Sequence, residues 1–148
     1  IATLPHLFWV PDIFVCNGWQ SALIPNIYKK DYEGISEFYN NIKTVLVIHD
    51  LDEYSMVEKS ELLDIGIDIH PNIKGNKLNI YDVASYNADA ILIIDMPGKK
   101  ISTKLLNKSA FKDNKKKVTI FEQKEVEDVD YEPITKSLDQ IISNLTSK

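Results

Sequence analysis

The sequence contains no arginine; all 17 of its basic residues are lysines. Without a guanidinium there is no rigid bidentate fork for phosphate or carboxylate, so an anion can be met only by point charges or backbone N–H groups. Cysteine is nearly absent. Cys16 stands alone, which excludes an internal disulfide and a cysteine-rich zinc site. The five glycines form neither a Gly-x-Gly-x-x-Gly pattern nor a phosphate loop. No apolar run approaches the ~20 residues that span a bilayer. No secretory leader opens the chain, so a reducing cytoplasm is the expected compartment. In that setting the sequons Asn107-Lys108-Ser109 and Asn144-Leu145-Thr146 read as chance matches.

What is present fits one soluble domain. The chain has 148 residues, 44% hydrophobic and 26% charged, which is enough to bury a real core. Its net charge of −5 argues against nucleic acid and anionic membrane as partners. Ile1-Ala2-Thr3-Leu4 reads as the interior of a longer sequence, a processed chain or a fragment.

Four short runs have the character of strands covered on both faces: Asp12–Cys16, Thr44–His49, Ala90–Ile94 and Val118–Phe121. Each is β-branched or aromatic and continuous rather than alternating, as in a parallel sheet. Helix-compatible stretches lie between them: Gln20–Tyr28, Gly34–Asn40, Met56–Asp64, Ile80–Asn87 and Ser102–Lys108. This alternation predicts an α/β fold, a Rossmann-like open parallel sheet with helices on both faces and right-handed crossovers. Ile13, Val45, Val47, Ile91, Ile93 and Val118 are expected in its core.

The α/β unit is expected to span residues 1–121. Residues 122–132 (EQKEVEDVDYE) form an acidic connection without apolar periodicity. Residues 133–148 form a helix whose first turn holds Pro133. Its apolar stripe of Ile134, Leu138, Ile141, Ile142 and Leu145 is expected to pack back on the same domain.

Open parallel sheets bind ligands beyond the carboxyl ends of their strands. Three such ends are polar here: Asn17-Gly18-Trp19-Gln20, His49-Asp50 and Asp95-Met96-Pro97-Gly98. Gly18 permits a tight strand-to-helix turn and close approach of another group. Turn chemistry with a core tryptophan explains the same residues without any ligand. His49, at the end of an apolar strand, is suited to hydrogen bonding or proton transfer with a substrate, or simply to a backbone carbonyl. His6 and His70 have no evident partner and do not read as metal ligands. A cysteine-hydrolase triad can be drawn through Cys16, His49 and Asp95, but Cys16 sits inside the apolar run, where it packs as a small hydrophobe. Lys99–Lys117 holds eight lysines and one acid, Asp113, and reads as a solvated face rather than a nucleic-acid site. Neither a metal nor a cofactor is expected.

Three stretches in register resemble the starch and bacterial glycogen synthases: "PDIFVCNGWQSALIP", "KTVLVIHD" and "LNIYDVASYNADAILIID". Pro11, Asp12, Trp19, Ala22, Leu23 and Pro25 fit the first motif. Lys43, Thr44, Val45, Ile48 and His49 fit the second, and Ala88 and Asp89 the third. The resemblance runs from about Leu7 to Met96. It implies a GT-B glycosyltransferase that moves glucose from a nucleotide sugar to an α-1,4-glucan with retention, in a cleft between two Rossmann-like domains. By the same resemblance His49 is the catalytic-site histidine at the sugar. Asn17, Gly18, Trp19, Gln20 and Asp50 border the substrate.

The chain also departs from the family. Asn17-Gly18 replaces the usual His-Asp, which removes an acidic group, and Asp50 replaces an asparagine. Neither the Lys-x-Gly-Gly-Leu loop that meets the nucleotide diphosphate nor the donor-binding domain is in the sequence. The expectation is therefore the second half of an incomplete GT-B N-terminal domain, inactive alone and partnered by the missing N-terminal half. The alternative is a non-catalytic carbohydrate or protein-interaction module.

Overall fold

The computed structural model describes residues 1–124 and 131–147. Four strands form one parallel sheet: β1 (Ile13–Asn17), β2 (Lys43–Ile48), β5 (Ala90–Asp95) and β6 (Val118–Glu122), in the order β1-β2-β5-β6. All three pairings are parallel, with Val15 opposite Val45, Leu46 opposite Ile91 and Ile93 opposite Ile120. The sheet grows in one direction, so right-handed crossovers put its connecting helices on one face. These are α1 (Ile24–Asp31), α2 (Lys59–Asp64), α3 (Ile80–Ser85), α4 (Ile101–Leu106) and α5 (Ser109–Asp113). Tyr81, Ala84, Ile101, Leu105 and Phe111 of this layer bury Cys16, Leu46, Ile48, Ile91 and Ile93.

The opposite face is covered by α6 (Glu132–Thr146), which carries Pro133 in its first turn. Ile141, with Ile134, Leu138 and Leu145 beside it, packs on Val45, Val47, Leu92 and Ile94. Each strand of the sheet centre thus meets apolar side chains above and below. That is why β2 and β5 read as continuous apolar runs. The four expected strands are all present and all parallel. The acidic connection falls largely on residues 125–130, which lie outside the described residues.

Several expectations need correction. Ile13 and Val118 are only half-buried, because β1 and β6 are the sheet edges and have one neighbour each. Gly34–Asn40 is not a helix; it holds only a 3₁₀ turn, Glu37–Tyr39. The stretch after β1 opens with a 3₁₀ turn, Trp19–Ser21, before α1 begins. Met56–Glu58 is a strand, β3, antiparallel to β4 (Lys77–Asn79). Glu58 and Glu61 then form a reciprocal capping box that starts α2.

The ends of β2 and β5 nearest their N-termini are clipped together by one carboxylate. Asp89 accepts hydrogen bonds from the Thr44 backbone N–H at 2.8 Å and from its hydroxyl at 2.9 Å. Lys29 of α1 pairs with the other Asp89 oxygen at 3.4 Å. In the lysine-rich stretch, Lys108 pairs with Asp82 of α3 at 3.0 Å, and Lys117 donates to the Tyr86 carbonyl at 3.2 Å.

Candidate functional site

The carboxyl ends of β1 and β2 meet at one crevice. Gly18 closes the β1–β2 ladder by donating its N–H to the Val47 carbonyl at 3.0 Å. It then turns away with φ 71° and ψ 178°, a conformation that L side chains rarely adopt. A Cβ placed at Gly18 would lie 2.9 Å from Gln20 Oε1 and 3.5 Å from His49 Nε2. Gly18, Gln20 and the His49 ring therefore border the same small space. Ser21 ties the turn down by donating its hydroxyl to the Asn17 carbonyl at 2.8 Å.

His49 is the first residue past β2 and is partly exposed. Its Nδ1 lies 3.2 Å from Asp50 Oδ2. Asp50 Oδ1 in turn accepts a hydrogen bond from the Tyr81 hydroxyl at 3.2 Å. Tyr81 is wholly buried, and burial first, then the Asp50 charge, pushes its phenol above the ordinary tyrosine range. The phenol stays protonated and keeps donating to Asp50. Asp50 is thereby fixed against Nδ1 of His49, which leaves Nε2 to face the crevice.

Trp19 borders the same edge and stacks on Tyr54, with ring centroids 6.0 Å apart and planes at 24°. Tyr54 is 66% exposed, and its position is built from polar contacts. Asp52 accepts the Tyr54 backbone N–H at 3.0 Å. The hydroxyl of buried Ser55 accepts from Asn79 Nδ2 at 2.9 Å, and Asn79 Oδ1 accepts the Tyr81 N–H at 2.9 Å. The turn bearing Tyr54 is thus fastened to the start of α3, the helix that supplies Tyr81.

Every residue expected at the site, Asn17, Gly18, Trp19, Gln20, His49 and Asp50, lies at these two neighbouring strand ends. Sequence reasoning missed Tyr54 and Tyr81. Tyr54 follows an Asp-x-Tyr turn signal that was available. Tyr81 sits in an apolar helical stretch, where nothing distinguishes a hydroxyl aimed at Asp50 from core packing.

Asp95, at the third strand end, is engaged otherwise. Its carboxylate accepts the backbone N–H of Ser102 at 3.0 Å and also the Ser102 hydroxyl, so it caps α4. Cys16 is fully buried, and burial pushes its thiol up to about 12. Its Sγ–H points at the Phe14 carbonyl at 3.8 Å. A neutral buried thiol and a capping carboxylate do not make a nucleophilic triad with His49. Among the described residues no cluster of His, Cys, Asp or Glu is arranged to hold a metal. No described helix is long and apolar enough to cross a membrane.

Comparison with known proteins gives this geometry a family context. Residues 1–96, which contain β1, β2, β5 and the whole crevice, match the model of the starch synthase catalytic domain. Glycogen synthase of Lachnospira eligens is 35% identical over 95 residues, 64% of this chain and 20% of that protein. Glycogen synthase of Clostridium perfringens is 37% identical over 94 residues, 62% of this chain and 19% of that protein. The chain therefore spans about a fifth of the length of these relatives. In fold it is similar to the catalytic domain of starch synthase IV from Arabidopsis thaliana, solved bound to ADP and acarbose. That likeness has a TM-score of 0.61 at 20% identity and covers 80% of this chain and 26% of the other. The matched segment, the parallel sheet and the three motifs agree, and the chain belongs to the starch synthase catalytic domain family.

Proposed function

We propose that this chain supplies the sugar-facing wall of a glucosyl-transfer site of the glycogen and starch synthase kind. The reaction transfers glucose from a nucleotide sugar to the end of an α-1,4-glucan. The observation that carries the reading is the shared crevice: His49 Nε2 lies 3.5 Å from the Cβ position that Gly18 leaves empty. A ring nitrogen beside a missing side chain gives a hydroxyl both a partner and room. Asp50, held by Tyr81, orients the imidazole, and Gln20 offers a second hydrogen-bonding group at the same space. The Trp19–Tyr54 stack supplies the apolar face on which the C–H side of a sugar ring packs. In this reading His49 touches substrate, Asn17, Gly18, Trp19 and Gln20 border it, and Asp50 positions His49.

The chain alone binds carbohydrate but does not transfer glucose. Stabilising a departing nucleotide diphosphate requires preorganised cations or dipoles. The chain has no arginine and spans about a fifth of its relatives. A further part of the same domain packs beside β1. β1 is an edge strand with Val15 exposed on it, and Phe8, Trp9 and Val10 are exposed in the segment that leads into it, Phe8 at 96%.

The test is an NMR titration with maltose or maltotriose, run beside an assay of labelled glucose transfer from ADP-glucose or UDP-glucose to glycogen. Saturable shifts at Gly18, Trp19, His49 and Tyr54 without label incorporation are expected. Shifts scattered over the surface overturn the site. Steady incorporation that His49→Ala abolishes overturns the statement that the chain alone is inactive. A carbohydrate-holding module without transfer chemistry is the second reading, favoured by Asn17-Gly18, which puts no carboxylate in the turn.

A further inference from the structure

We propose that the helical layer carries a second carbohydrate groove, remote from His49, that holds a short uncharged stretch of glucan. The proposal rests on the carbohydrate reading above but uses none of its residues. Two adjoining cavities, of about 190 and 450 Å³, share Asp68 and Asn87 as walls. The smaller adds Asn26, Lys29 and Lys30; the larger adds His70, Pro71 and Tyr86. Together they make an elongated groove in the size range of small-ligand sites. Lys29 reaches Asp89, at the start of β5, so the groove lies toward the end of the sheet opposite His49.

Three observations give its ligand chemistry. The first is Asn26, which is 95% buried by its exposure of 5%. Its Nδ2 donates to the Val83 carbonyl at 3.4 Å, while Oδ1 has no hydrogen-bond partner among the described residues. With Nδ2 committed to a carbonyl, the amide is oriented, and the remaining oxygen calls for a donor such as a hydroxyl.

The second is charge balance. Lys29 is paired with Glu33 at 2.9 Å and with Asp89 at 3.4 Å; Lys30 is paired with Asp68 at 3.1 Å. Burial lowers the Lys117 ammonium's affinity for its proton, and the Asp89 carboxylate opposes that effect. The ammonium groups of Lys29 and Lys30 therefore meet three carboxylates, and Asp113 adds a fourth beside Tyr86. The groove has no surplus positive charge with which to draw an anion, and a neutral, hydroxyl-rich ligand fits it.

The third is a rigid aromatic face. His70 stacks on Tyr86 at 3.8 Å with planes at 8°. The Tyr86 hydroxyl donates to Asp113 at 2.7 Å, and Asn72 Nδ2 donates to the same oxygen at 2.9 Å. The Asn72 backbone N–H donates to His70 Nδ1 at 3.2 Å, which leaves Nε2 as the proton-bearing nitrogen. The exposed imidazole thus presents a fixed flat face and one N–H donor. A flat ring with amides and paired charges around it is the surface that a sugar ring, apolar on one side and hydroxylated at its rim, recognises.

The test is a ¹⁵N NMR titration with maltotriose on the wild-type chain, on Trp19→Ala and on His70→Ala. Saturable shifts at Asn26, His70, Tyr86 and Asn87 are expected, unchanged in Trp19→Ala and weakened at least tenfold in His70→Ala. Shifts confined to Gly18, Trp19, His49 and Tyr54 overturn the groove and leave the proposed function standing. Shifts at neither place overturn both. Inorganic phosphate shifting the groove residues where maltotriose does not overturns the assignment to a neutral sugar. A long-lived water at Asn26 with no sugar response overturns the groove as a ligand site.

Discussion

Replacing Gly18 with alanine tests the geometry on which the crevice depends. At φ 71° and ψ 178° the residue occupies a region that is almost exclusively glycine's, and a non-glycine residue held there costs about 1–3 kcal/mol. The new methyl adds less. Its 2.9 Å approach to Gln20 Oε1 is relieved by rotating the end of a flexible side chain, and its 3.5 Å distance to His49 Nε2 is ordinary contact. Alanine also restricts the unfolded chain, which returns up to ~1 kcal/mol. The backbone term wins, and a net loss of about 1–2 kcal/mol is expected. At roughly 2–4 °C per kcal/mol for a chain of this size, Tm falls by about 2–8 °C. Urea unfolding with an unchanged m-value measures the loss, and the His49 ring resonances report whether the methyl fills the crevice. A midpoint within error of wild type, with His49 undisturbed, would show that Gly18 does not hold this turn and that the crevice is misplaced.

Three further outcomes are expected. Asp89→Asn weakens the clip on Thr44, whose N–H and hydroxyl both donate to one carboxylate oxygen, and costs about 1.5–3 kcal/mol in urea unfolding; a change under ~0.5 kcal/mol would refute the clip. Cys16 resists iodoacetamide at pH 8 in the native state and reacts in urea, because burial holds its thiol up to about 12; rapid native labelling would refute this. Stability also falls in alkali. Burial raises the folded-state values of Cys16 and Tyr86 to about 12 and lifts Tyr81 further, so the folded protein keeps protons that the unfolded chain releases. The benefit is complete below the unfolded thiol's ordinary value of about 9 and is lost as pH climbs toward 12. Urea midpoints measured from pH 7 to 11 should decline above pH ~9, with Cys16→Ala removing the earliest part; a flat profile would refute it.

The sheet was legible because its cause is local. A strand buried on both faces must be apolar at consecutive positions, and β2 and β5 are. The edges were misjudged for the same reason. Ile13 and Val118 look like core residues in sequence, and only the strand order shows that each lacks a neighbour on one side. Helix starts were misjudged where a capping contact sets them. The Glu58–Glu61 capping box delays α2 to Lys59, leaving Met56–Glu58 to pair with β4, and the Asp95 contact to Ser102 holds the first turn of α4, which begins at Ile101. At the crevice the strand-end residues were legible because parallel strands deliver their carboxyl ends to one edge. The Asp52 turn signal marks Tyr54 as a turn residue but not its place at the crevice, and nothing marks Tyr81, since Asn79 reaching Ser55 and a buried phenol reaching Asp50 are pairings separated by 24 and 31 positions in the chain.

The three family motifs do different physical work. The first two converge: Trp19 from one, next to Gly18 where the chain departs from the family, and His49 from the other, all at the carboxyl edge of β1 and β2. The third does not reach that edge. Ala88 is buried in the core, and Asp89 grips Thr44, itself a residue of the second motif, at the amino ends of β5 and β2. The Thr44–Asp89 pair therefore sets the register of the two central strands. That register fixes how far β2 extends before His49 emerges, because a parallel ladder advances ~3.3 Å with each residue. A residue can belong to a family signature, lie at the opposite end of the sheet from the crevice, and still decide where the crevice histidine sits. On this argument Asp89→Asn should move the His49 resonances as well as lower stability. Loss of stability with an unshifted His49 would confine Asp89 to holding the core.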